Sequence, residues 1–141
     1  MNSVTADQVN ASDVSLSEFV TLLVLQFDQQ NVPMPFQNEE KWHRLFYAFK
    51  TERDVPGRPA FLDKLRFDWD GRYPKAMEVS ECLHTLHLNG FLSVGNPTYD
   101  TLTLDQDVRE NADTVRPEVG DPQLEEFLKH STEKASGLFR R

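Results

Sequence analysis

Apolar side chains recur along this chain in two rhythms, one helical and one that of strands. Between Leu16 and Phe27, the residues Leu16, Phe19, Val20, Leu22, Leu23, Val24, Leu25 and Phe27 are apolar. A helix that apolar on most of its sides is predicted to lie at the centre of a core. Ser15, with Glu18 three positions later, makes the capping box that starts it. The prolines of Val32-Pro33-Met34-Pro35 stop it. Asn38, Glu39 and Glu40 then bring cap and negative charge to the start of a second helix. Its apolar face is Trp42, Leu45, Phe46 and Phe49, at i, i+3, i+4 and i+7.

Asp54 to Pro59 is a loop by its Pro and Gly content, and Ala60 to Lys64 has room for one helical turn. Leu65, Phe67 and Trp69 alternate with Arg66, Asp68 and Asp70, which predicts a half-buried strand. After a turn, Pro74 suits the first position of a third helix. Val79, Cys82, Leu83 and Leu86 are its buried stripe, and Asn89-Gly90 ends it. Phe91 to Val94, the turn Gly95-Asn96-Pro97-Thr98 and Tyr99 to Leu104 read as a hairpin.

Residues 1–14 are polar and lack periodicity, so they read as a flexible lead-in to a core spanning 15–104. Residues 105–121 read as an acidic extended connection, and 122–141 as a C-terminal helix and tail started by Pro122. Leu124, Phe127 and Leu128 would face the core, whereas Leu138 and Phe139, beside Arg140 and Arg141, suggest a docking tail. The expected fold is a single domain of the α+β class, mainly α with a small β-hairpin.

Helix, helix, short strand, helix and hairpin is the element order of a winged helix, the third helix standing where the recognition helix would. Phe67-Asp68-Trp69-Asp70-Gly71-Arg72-Tyr73-Pro74, followed by a helix ending Leu88-Asn89-Gly90-Phe91-Leu92, resembles small bacterial winged-helix proteins. These are the SocA-type (Panacea) antitoxins and the winged-helix accessory subunits of SMC-like ATPase and anti-phage defence complexes. The likeness spans about residues 60–105, and Arg72-Tyr73-Pro74-Lys75 stands where those groups carry a Gly-Pro-Tyr-Ser-like turn. It implies a winged-helix-like domain acting in a multi-component assembly or as an antitoxin.

Composition narrows the choices. The 141 residues suit one domain and carry a net charge of −8. No apolar run is long enough for a membrane span, and the first 40 residues hold no Lys or Arg with which to open a signal peptide. The single cysteine, Cys82, is compatible with a reducing cytoplasm. The charge is uneven: residues 91–128 carry nine acids against two bases, while residues 50–75 carry seven bases against five acids.

The outward positions of the third helix include Glu78, Glu81 and Thr85, the wrong sign for a helix reading a major groove. Direct DNA contact is therefore expected to be weak. His84 and His87 share a side of the same helix near Cys82, but two imidazoles are too few for a metal site. No phosphate loop or nucleophile motif appears, so no catalytic residue, cofactor, metal or small-molecule substrate is expected.

Tyr47, Tyr73 and Tyr99 lie off the buried stripes, and exposed aromatics beside arginine make interface anchors. The expected contact residues are Arg58, Lys64, Arg66, Arg72, Tyr73, Lys75 and Tyr99. The chain thus reads as an acidic, non-enzymatic, cytoplasmic accessory subunit whose protein partner has basic surface. The alternative is an antitoxin or DNA-binding transcriptional regulator.

Overall fold

The computed structural model describes residues 8–36, 39–94 and 101–140. In chain order, β1 (Gln8–Val9) precedes α1 (Leu16–Gln29). The Glu18 N–H donates to Ser15 Oγ at 3.1 Å and the Ser15 N–H to Glu18 Oε1 at 2.9 Å, so the capping box forms as expected. α1 buries Phe19, Val20, Leu22, Leu23, Val24, Leu25 and Phe27. It ends where Asn31 turns left-handed (φ 58°) and the Val32 N–H reaches back to the Phe27 carbonyl at 2.8 Å.

β2 (Met34–Pro35) leads to α2 (Glu40–Thr51), which buries Trp42, His43, Leu45, Phe46 and Phe49. A 3-10 turn (Ala60–Lys64) and α3 (Met77–Leu88) follow, then the antiparallel hairpin of β3 (Leu92–Val94) and β4 (Thr101–Leu104). Gly90, with φ 83°, closes α3, and the Phe91 N–H donates to the Leu86 carbonyl at 3.0 Å. The chain continues through α4 (Gln106–Glu110), α5 (Ala112–Val115), β5 (Glu118–Val119) and α6 (Pro122–Phe139). Asp121 caps α6, with Pro122 in its first turn. The result is a mainly helical α+β fold with a three-stranded antiparallel sheet in the order β2-β4-β3.

α6 lies across α1 and α2, and the core between them is aromatic. Phe19 is central, with Phe46, Phe49, Phe61 and Phe127 at ring-centroid distances of 5.6 to 6.1 Å. A second group joins Phe27, Trp42 and Phe139, with Trp42 and Phe139 4.9 Å apart. Such edge-on and tilted pairs add to the burial of each ring.

Several expectations are corrected. Residues 8–14 are not a loose lead-in: β1 pairs parallel with β5, Val9 and Val14 are buried, and the Ala11 N–H donates to Asp121 Oδ2. The strand expected over 65–69 is a single antiparallel bridge, Asp68 with Lys75, because among the described residues no other strand pairs with it. The third strand of the sheet is β2, two residues of the proline stretch that stops α1.

α3 begins at Met77, so Pro74 precedes it as a buried residue outside the helix. The 105–121 connection is structured, tied by Arg109 to Asp28 and by Arg116 to Glu125. Phe139 is core rather than docking tail, 5% exposed. Asn38 and the turn 95–98 lie outside the described residues.

Candidate interaction surface

The connection between α2 and α3 is built on side chains that close helix ends. α2 leaves carbonyls open at its C-terminus, and the Arg58 guanidinium takes two of them. Its Nε donates to the Phe49 carbonyl at 2.9 Å and its Nη2 to the Lys50 carbonyl at 2.6 Å. The same Nη2 meets Asp63 Oδ1 at 3.0 Å, and the guanidinium beside Asp63 holds that carboxyl below the usual carboxylate range. The Lys50 ammonium donates to the carbonyls of Leu62, Asp63 and Leu65 at 2.8 to 3.3 Å, closing the 3-10 turn. Gly57, at φ 78°, lies so close to α6 that a Cβ there would stand 1.9 Å from the Gln123 carbonyl oxygen. The segment is therefore clamped at three points.

On that mount sits an aromatic step. Leu65 is buried, Phe67 is half-buried and Trp69 is 57% exposed. The Tyr47 ring meets both Phe67 and Trp69 edge-on at 5.3 Å. Beside it opens a cleft of about 430 Å³ lined by Arg66, Phe67, Asp68, Lys75, Met77 and Glu78.

Of the expected contact residues, Arg66 and Lys75 line this cleft, and Lys64 and Arg72 are exposed. The Arg58 guanidinium is engaged by the last carbonyls of α2 and by Asp63. Tyr73 is half-buried, with its ring 5.7 Å from that of His43. Tyr99 lies outside the described residues. Sequence reasoning missed Trp69 and Met77 as surface groups. Period-two alternation assigned Trp69 to a buried face, yet among the described residues one bridge forms there, with no sheet face for it to join.

A second arrangement the sequence did not disclose is polar. His43 is fully buried on α2. Its Nδ1 accepts the Ala76 N–H at 3.1 Å, just before α3, and its Nε2 lies 3.0 Å from Ser80 Oγ. A backbone N–H can only donate, so the proton of the neutral imidazole sits on Nε2 and is donated to Ser80. The Ser80 hydroxyl in turn donates to Glu39 Oε1 at 2.7 Å.

The trio looks like serine, base and acid, but its proton order runs the wrong way for nucleophilic catalysis. A base would need Nε2 bare to take the serine proton. Instead the three side chains pin the start of α3 to α2. Burial is the main influence on His43 and lowers its pKa from 6.5, partly offset by the Glu39 carboxylate 3.5 Å from Nε2, which favours the protonated ring.

Burial likewise pushes the Cys82 thiol up to about 11, so at neutral pH it is an unreactive thiol. His84 and His87 line a small cavity between α2, α3 and the sheet, with Glu39 and Trp42. Among the described residues no three metal-ligating side chains gather, and no helix is long and apolar enough to cross a membrane. Compared with known proteins, the chain matches no family model, no curated protein and no solved structure.

Proposed function

We propose that this chain is a non-enzymatic, cytoplasmic accessory subunit of winged-helix-like build, working through protein–protein contacts in a bacterial multi-component assembly. The build is supported by the order α1, β2, α2, α3, β3, β4 and by the strand order β2-β4-β3. On this reading α3 corresponds to a recognition helix and the hairpin to a wing. An SMC-like ATPase or defence complex is the assembly class that the resemblance over residues 60–105 implies.

The observation that carries the contact role is Trp69. A tryptophan left 57% exposed beside a cleft, on a segment held by Lys50, Arg58 and Gly57, is a preorganised anchor of the kind that dominates interface energies. The net charge of −8 steers it toward a partner with basic surface. The exposed positions of α3, namely Met77, Glu81, His84, Thr85 and Leu88, include no Lys or Arg to meet phosphate.

Native purification of the tagged chain from its own cells tests this reading. A stoichiometric complex is expected, lost in Trp69→Ser while that variant keeps the parent's circular dichroism and melting midpoint. A free chain, or a complex indifferent to Trp69→Ser, would overturn it. Salt-sensitive binding to a duplex from its own locus would turn the conclusion to the antitoxin or transcriptional-regulator reading.

A further inference from the structure

We infer that the outer stripe of α3 pairs antiparallel with α3 of a second copy of this chain. Four of the exposed side chains on this helix are Met77, Glu81, His84 and Leu88. Their spacing is four, three and four residues, so they form one seam about 16 Å long, of the kind that two packed helices share. Met77 is 60% exposed and Leu88 72%, two of the four large apolar side chains that are exposed among the described residues. Among the described residues, the side chains of Glu81 and His84 make no hydrogen bond or ion pair within the chain.

What selects the occupant is the order along the seam. In an antiparallel pair the layers join positions equidistant from the helix midpoint. Met77 then faces the other copy's Leu88, and Glu81 faces the other copy's His84. The two-fold axis repeats each contact, giving two apolar layers at the ends and two acid–imidazole layers in the middle. A parallel pair would instead set Glu81 on Glu81 and His84 on His84, so the central polar layers dictate the antiparallel orientation. The same reversal brings the half of α3 that carries Glu78 and Glu81 against the half that carries His84 and His87.

Three turns of helix make a small interface, so the dimer is weak, with a dissociation constant on the order of 10–100 µM. Trp69 is not one of the four seam residues, while Met77 also lines the cleft beside it.

Sedimentation velocity of the full chain from about 5 to 500 µM tests the pairing. A concentration-dependent monomer–dimer equilibrium is expected. Leu88→Asp should weaken it at least about tenfold, and so should His84→Glu, which opposes two carboxylates twice. The double variant Glu81→Lys with His84→Glu sets an ammonium opposite a carboxylate and should restore the dimer to wild-type strength or better. All three replace exposed side chains, and an unchanged melting midpoint of the monomer confirms their folding.

A monomer at every concentration would overturn the inference. So would a dimer indifferent to Leu88→Asp, which uses another face, or a double variant as weak as His84→Glu alone. The chain is tested by itself, so none of these results bears on co-purification through Trp69.

Discussion

α1 and α3 are helices of similar length, fourteen and twelve residues, that meet the protein in opposite ways. α1 buries seven apolar side chains on most of its sides and receives α3, α6 and β4 around it. α3 buries Val79, Leu83 and Leu86 on one narrow face and leaves Met77 and Leu88 outside. The first has little surface to offer a partner, because most of its sides serve the core and only Ser17 and Gln29 within it are exposed. The second is held by so few groups that its start needs a polar pin, His43 with Ser80 and Glu39, to stay in place. One-sided burial is what leaves a helix free for contact.

The largest effect that would break this comparison is at Phe19, where four other rings converge. Phe19→Ala should cost about 3–5 kcal/mol, read from the urea midpoint; a loss below about 1 kcal/mol would show that α1 is not the keystone. Gly57→Ala should follow at about 2 kcal/mol or more, because the backbone of α6 leaves no space for a Cβ and φ is 78°. If it melts like the parent, the clamp under Trp69 is looser than the geometry says.

The pin on α3 has a pH signature. The folded pKa of His43 lies below its ordinary 6.5, so the unfolded chain binds the extra proton as pH falls past that value. His43 thus contributes stability that is present above about pH 6.5 and lost on acidification toward the folded pKa. His43→Gln should flatten the fall in stability between pH 7 and about pH 5.5 in urea titrations; an unchanged slope would assign it to other groups. The smallest effect is expected at Leu88, where Leu88→Ser should shift monomer stability by no more than about 0.5 kcal/mol. A larger loss would mean that this end of α3 is packed.

Much of the helical frame was legible, and the reason is distance along the chain. The capping box of Ser15 and Glu18, the Asn89-Gly90 stop and the apolar stripes of α1 and α2 each act within a turn or two. The hairpin was legible for the same reason, since its strands are neighbours. β2 escaped notice because two residues beside prolines carry no period of their own and gain their pairing from β4, some 66 residues later. Arg58 looked like a free cation until α2's carbonyls came to meet it, and Glu39 looked like a helix cap but takes Ser80's hydroxyl instead.

By itself the sequence determined that α1, α2, α3 and α6 are helices, the capping box that starts α1, the Asn89-Gly90 stop of α3, much of the inward face of α1, α2 and α6, and a strongly acidic balance with a basic stretch at residues 50–75. Only the tertiary structure decided which of those bases stay free, that Phe139 belongs to the core, that Trp69 stands outside it, and that His43 joins α2 to α3. Local hydrogen bonds and periodicities are written into a few consecutive residues. Whether a ring is buried or a charge satisfied depends on groups that folding brings from dozens of positions away.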